Sequence, residues 1–319
     1  EPRCVIVDHH PDYFATRLGR ELAREGGLPL FEIQHHRAHF TAVLAENALL
    51  ETEDPVLGVI WDGTGLGDDG QIWGGEFFLY EGEKIKRLAH LSYFDFIAGD
   101  KMPREPRISA LAATAGMEES EATLREKFSE VEWKVYQRLL SRPGSLKCSS
   151  MGRLVDAGAS LLELADRTTY EGEGAMLLEQ LAVAYLRREG LNARTLTSYL
   201  EDWDGAGNIP VHRILSGLIA DRKRKLGSGL IAVRFHFTLV EAIRQVASHH
   251  GLTRLAFSGG VLQNSLIVDF ILHRLAKNYK LYWHRQLSPN DECISFGQLY
   301  GHHLGMTRSL ATPTKAEGV

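Results

Sequence analysis

With 319 residues, the chain can form one large two-lobed domain or two ordinary ones. Its 44% hydrophobic and 24% charged residues are those of a globular protein with a sizeable core. A net charge of −5 leaves no global basic footprint for nucleic acid, no apolar run or signal peptide calls for a membrane, and three scattered cysteines, Cys4, Cys148 and Cys293, argue against a zinc ribbon or a disulfide framework.

CVIVD reads as a buried strand, followed by a helix from Tyr13 to Arg24 and a second strand, LFEIQ. The next helix opens on QHHRAHF and continues through the apolar run AHFTAVLAENAL. This β-α-β-α order suggests part of a parallel α/β sheet. His35 and His39, four residues apart, share one helical face about a turn apart, while His36 points roughly 100° away. Two imidazoles so spaced can grip one metal ion. A solvated or core-satisfied pair is the alternative, and both readings stay open on spacing alone.

From Pro55 onward, VLGVIW, QIWGGEFFLY and KIKRLAHLSYF read as three antiparallel strands joined by DGTGLGDDG and EGEK. A glycine-rich loop at Asp62 can expose amides to phosphate and a carboxylate to a cation, but aspartate and glycine suit any turn. From about residue 97 to 225 the pattern is mostly helical. Within it, Arg104, Glu105 and Arg107 read as a solvated charged loop, and Arg153 with Asp156 as an i,i+3 pair on a helix surface. A long helix, GLIAVRFHFTLVEAIRQVASHHG, leads to the strand LTRLAF and the corner FSGGVLQN. Its glycines permit close approach of a ligand and its helix N-terminus favours an anion or a polar nucleotide edge. A short strand, KLYWH, precedes SPNDECISFGQ, where Asn290 or Asp291 would cap the closing helix; an oxygen ligand for a metal is the other reading of Asp291. The tail after Met306 reads as polar and loose.

QHHRAHF, VLGVIWDGTGLGDDGQIWGGEF, REPRISALAA, SSMGRLVDAGASLLELADRTTYEGEGAMLLE, FHFTLVEAI, FSGGVLQN and the PND…FGQ segment, in this order, resemble the carbamoyltransferase domain of HypF-type hydrogenase maturation proteins. The resemblance runs from Val7 to about Gly301. It implies an α/β, actin/sugar-kinase/Hsp70-like (ASKHA) two-lobed fold with a helical insertion, related to the transferase that installs threonylcarbamoyl on tRNA. On that plan residues 1–54 are the remainder of the first lobe, which would lack its opening strands, and 55–319 the second. The second lobe comprises the β-meander, the insertion at about 97–225 and a nucleotide-binding part at about 226–305.

The resemblance further implies a metal site made by His35, His39, Asp62 and Asp291, with His39 and Asp62 the expected catalytic residues. Imidazole with carboxylate suits Fe2+ or Zn2+, and Mg2+ less naturally. Gly63, Thr64 and Gly65 would hold phosphate, and Gly259, Gly260 and Asn264 would border the adenosine of ATP or carbamoyl-adenylate. The acceptor would be the C-terminal cysteine of a HypE-type partner in a cytoplasmic pathway, and neither nucleic acid nor membrane is expected. Carbamoyl-adenylate would come from an adenylate-forming domain in a missing N-terminal part or in another chain. Glu292 and Cys293 stand where the family has two glycines, and a carboxylate there would repel nucleotide unless it turns outward. A small-molecule O-carbamoyltransferase and a non-catalytic nucleotide-binding scaffold are the alternatives; the SSMGRL…YEG block favours the first reading over the former, while Glu292–Cys293 keeps the latter open.

Overall fold

The computed structural model describes residues 1–192 and 196–310. Strand β1 (Val5–Asp8), helix α1 (Phe14–Gly26) and strand β2 (Leu30–Ile33) form the expected parallel unit. Helix α2 (His35–Glu46) follows at once, with the Gln34 side chain accepting the Arg37 amide at its N-cap. This helix is buried on nearly every side, as its all-round apolar run requires.

The meander is β3 (Val56–Leu66), β4 (Ile72–Glu81) and β5 (Lys84–His90), antiparallel throughout. Strand β3 does not end at Trp61. It continues through Asp62–Leu66 after an irregularity between Trp61 and Gly65, with Gly65 opposite Trp73 and Leu66 opposite Ile72. DGTGL is therefore bulged strand, and the turn proper begins at Gly67. Such a bulge bends the strand and re-aims its side chains. The expected third strand also divides, because Phe94–Asp95 forms a separate strand, β6.

The insertion holds α3 (Pro106–Ala113), α4 (Glu118–Arg125), α5 (Glu130–Leu140), a two-residue β7 (Lys147–Cys148), α6 (Met151–Leu161), α7 (Glu173–Glu189) and α8 (Val211–Lys223). Helix α9 (Ser228–His249) then leads to β8 (Arg254–Ser258), α10 (Ser265–Leu275), β9 (Lys280–Tyr282), α11 (Ile294–His303) and β10 (Arg308–Leu310). The larger sheet runs β6-β7-β4-β3-β8-β9, with β5 on β4. Strand β8 lies parallel to β3, so the ends carrying Asp62 and the FSGG corner emerge side by side. Residues after Met306 are not all loose: β10 joins the smaller sheet beside β2, whose open edge offers backbone partners. The remainder of the tail, from residue 311, lies outside the described residues.

Of the charged groups read as solvated or on a helix surface, Arg104 is exposed, but Glu105, Arg107 and the Arg153–Asp156 pair are largely buried. Arg107 is 4% exposed, held by Glu105 at 2.6 Å and Glu132 at 2.8 Å and laid over the Phe128 ring at 4.6 Å. Arg153 and Asp156 do pair at 2.8 Å, but inside the protein, because α6 packs against α3, α7 and β3. Buried charges persist only when paired in this way.

Arg107, with Ser129 at the cap of α5, draws the Glu132 carboxyl down from 4.5 to about 2. A depressed carboxyl stabilises the fold above its unfolded pKa and less as pH falls through the folded value. Glu132→Gln should therefore lower the urea midpoint at neutral pH, with the gap to wild type closing between about pH 4.5 and pH 2. A gap constant across that range would refute the assignment.

Candidate metal centre

Helix α2 projects His35 and His39 to one side, towards the bulge of β3 and the start of α11. The Nε2 atoms of both imidazoles lie 3.3 Å from Asp62 Oδ2 and 3.5 Å from Asp291 Oδ1. One donor atom from each of the four residues falls within 4.8 Å of every other. For ligands about 2.1 Å from a tetrahedral ion, neighbours would sit roughly 3.4 Å apart. His39 Nε2 is buried and has no well-aligned hydrogen-bond partner despite these short distances. Lone pairs converging on a shared point, rather than on one another, give that combination. The donor set fits a divalent transition ion.

The supports are local. Asp62 Oδ1 accepts the Gly63 amide at 2.8 Å and the Gly260 amide at 3.3 Å, which leaves Oδ2 for the centre. Asp8, at the end of β1, holds His35 Nδ1 at 2.8 Å. Asn290 caps the turn at Asp291–Cys293 by accepting the Glu292 amide, so Asn290 serves as the cap and Asp291 is free to reach the histidines. The Asp291 side chain is 74% exposed, making it the open side of the site. His36 lies apart, bonded to Gln34 Nε2 at 2.9 Å.

Burial disfavours charge on His39, but the close carboxylates of Asp291 and Asp62 outweigh it and raise its pKa to about 10. His35 is raised against burial by Asp291, Asp62 and Asp8. Burial would raise Asp62, yet both histidines bring it well below the carboxylate range; they lower Asp291 as well. Burial and the neighbouring His35 depress His36, which keeps it neutral. The centre thus favours positive charge among its four donors.

The glycines divide by cause. A Cβ at Gly63 meets nothing within 4 Å, whereas one at Gly65 would strike the His36 ring at 2.6 Å. Gly259 has φ +107° and lies against the Trp61 carbonyl, 2.1 Å from where a Cβ would be. Packing alone therefore demands Gly65 and Gly259. Thr64 and Gly260 line the same corner, part-buried. The Asn264 side chain caps α10 and contacts His236 Nε2 at 3.3 Å. Ser150 caps α6 and donates to the Gly63 carbonyl, and a Cβ at Gly152 would touch Gly63 Cα at 3.0 Å, so the SSMGRL block braces the Asp62 turn.

Glu292 is exposed, meeting the condition for tolerating a carboxylate there, whereas Cys293 is buried with Sγ 3.3 Å from His39 Nδ1. Burial would raise this thiol, but His284 and His39 lower it to about 6. Asp8, Glu46, Ser258 and His284 were not indicated by the sequence, since no spacing links them to the histidines; Cys293 stood out only as a replacement for glycine.

Residues 58–298 match the family model described as "Carbamoyltransferase, Kae1-like Domain, second subdomain", and residues 1–46 match "HypF Kae1-like domain". The architecture is accordingly that of a Kae1-like, ASKHA-type domain. "Carbamoyltransferase HypF2" of Cupriavidus necator is 35% identical over 94% of this chain and 39% of its own length. A "Carbamoyltransferase HypF homolog" of the same organism is 31% identical over 98% of this chain and 80% of its own. A crystal structure of full-length HypF "in the phosphate- and nucleotide-bound form" superposes with a TM-score of 0.80 at 26% identity, covering 94% of this chain and 39% of that one. The chain belongs to the HypF carbamoyltransferase family. It spans about two fifths of the length of that first relative and of the superposed structure.

Proposed function

We propose that this chain is a metal- and nucleotide-dependent carbamoyltransferase domain acting in the cytoplasm. It moves a carbamoyl group from carbamoyl-adenylate to the C-terminal cysteine thiolate of a HypE-type acceptor during [NiFe]-hydrogenase cyanide-ligand assembly. The observation that supports it is the convergence of His35, His39, Asp62 and Asp291 on one point within a HypF-family fold. The nucleotide-bound state of the superposed HypF supports ATP or carbamoyl-adenylate as the bound nucleotide.

His35, His39, Asp62 and Asp291 would hold Fe2+ or Zn2+, which as a Lewis acid supplies polarisation of the carbamoyl carbonyl and neutralisation of phosphate. The open Asp291 side admits the ligand. Gly63, with room where a side chain would stand, lets phosphate approach, with Thr64 and Gly65 completing that wall and Gly259, Gly260 and Asn264 the nucleoside side. The acceptor thiolate forms the C–S bond as the carbonyl carbon–phosphate oxygen bond breaks, and AMP leaves with the electron pair. The nucleophile thus belongs to the partner.

The test supplies the full chain with divalent metal, carbamoyl-adenylate and a cysteine-terminated peptide, and seeks the thiocarbamate by mass spectrometry. Carbamoylation of the peptide sulfur is expected. Transfer to a hydroxylated metabolite instead would establish an O-carbamoyltransferase, and nucleotide binding with no transfer would establish a scaffold. No helix of the described residues is long and apolar enough to cross a membrane.

A further inference from the structure

Behind His39 runs a chain of side chains that the transfer chemistry above does not use. Glu46 Oε2 lies 2.7 Å from His284 Nδ1, His284 Nε2 lies 2.9 Å from Ser258 Oγ, and Ser258 Oγ lies 3.0 Å from His39 Nδ1. All are sequestered: the side chains of Glu46, His284 and His39 are 9%, 3% and 0% exposed, and Ser258 is fully buried. Glu46 and His39 both belong to α2 and lie seven residues apart, two turns along one face. The chain therefore leaves α2 at its last residue, passes through the segment after β9 and the end of β8, and returns to α2 at the metal ligand.

We propose that Glu46, His284 and Ser258 are positioning residues that fix the tautomer and ring orientation of His39, keeping its Nε2 lone pair on the candidate metal centre. The relay has this role only if a cation occupies the four donors, as proposed above.

Donors and acceptors assign each link. An ionised carboxylate only accepts, so His284 must donate from Nδ1 to Glu46, and its Nε2 is left as an acceptor. The Ser258 hydroxyl then donates to that Nε2, and its oxygen accepts the Nδ1–H of His39. With a cation among the four donors, His39 Nε2 gives up its proton and turns its lone pair to the centre, 3.3 Å from Asp62 Oδ2 and 3.5 Å from Asp291 Oδ1. Glu46 is itself immobilised, since its second oxygen accepts the amides of Arg285, Gln286 and Leu287. Those three amides and His284 hold it ionised. Cys293 Sγ also lies 3.3 Å from His39 Nδ1 and shares that proton with the nearer hydroxyl at 3.0 Å; both acceptors keep the hydrogen on Nδ1.

Glu, His and Ser in series also suggest a hydrolytic triad. Here that role is closed, because Ser258 Oγ is sealed between two imidazoles with no route to a substrate. Asp8 serves His35 in the same way through one link, at 2.8 Å. Metal-binding histidines are commonly oriented through their second nitrogen; at His39 the carboxylate acts through two intermediaries.

The test measures Zn2+ affinity by chelator competition and the visible spectrum of the Co2+-loaded full chain for wild type, Ser258→Ala, His284→Ala and the double variant. Each single variant should bind about 10–100-fold more weakly with an altered Co2+ spectrum, measured well below its own metal-free melting temperature so that only folded protein is compared. Because one chain is being cut at two points, the double variant should lose little beyond the worse single variant. Single-variant affinities equal to wild type, or losses that simply add, would overturn the relay. Should Ser258→Ala fail to fold, His284→Ala, in a loop nearer the surface, carries the same comparison. If the wild-type chain binds neither Zn2+ nor Co2+, the metal reading itself falls and the relay with it.

Discussion

His39→Ala should strip the centre of its cation. The residue is fully buried, so water cannot readily replace the imidazole, and it joins Asp62, Asp291 and the Ser258 relay at one atom pair. Its removal leaves His35 and two carboxylates, of which Asp291 is largely exposed. Loss of an outer partner costs about 10–100-fold in metal affinity, and loss of a direct ligand should exceed that. Carbamoyl transfer, if metal-dependent as proposed, should vanish with it. The measurement is Zn2+ or Fe2+ per chain after dialysis, alongside the peptide assay. Metal content equal to wild type would remove these residues from consideration as a metal site. Undiminished transfer by a metal-free variant would separate the chemistry from the centre.

Gly297→Ala should be the most damaging small substitution. A Cβ at Gly297 would lie 1.8 Å from the Ala38 carbonyl oxygen, 2.6 Å from its carbon and 3.1 Å from the Ala42 amide nitrogen. All are backbone atoms of α2, so no side chain can rotate aside, and α11 must lift from α2. Overpacking typically costs 1–3 kcal/mol and occasionally more; with only backbone in the way, about 3 kcal/mol or more is expected. Ala38 adjoins His39, so metal affinity should fall as well. Urea unfolding tests the first effect, with Gly63→Ala as the comparison because nothing lies within 4 Å of its Cβ position. If both variants unfolded at the wild-type midpoint, the close helix contact would not exist.

The candidate site was legible chiefly through the family resemblance, which named His35, His39, Asp62 and Asp291 together. Their spacing alone left a metal pair, a phosphate turn and a helix cap all open. What converges them could not be read at all. The extension of β3 through DGTGL was hidden because aspartate and glycine signal turns, whereas here Gly65 and Gly67 are small to admit the His36 and Trp73 rings. Arg107 read as solvated because the carboxylate that holds it, Glu132, lies 25 residues away. Glu46, Ser258 and His284 carry no local pattern at all, and the join of β10 to β2 brings together ends of the chain that no short window spans.

Asp291 follows Asp62 by 229 positions, yet their oxygens face the same pair of nitrogens. The two histidines and Asp62 precede the insertion in sequence, while Asp291 follows both the insertion and β8. Until α11 settles on α2, the four donors form an unfinished chelate. Firm capture of an ion would then mark a folded domain, and scavenging by partly folded copies would be weak.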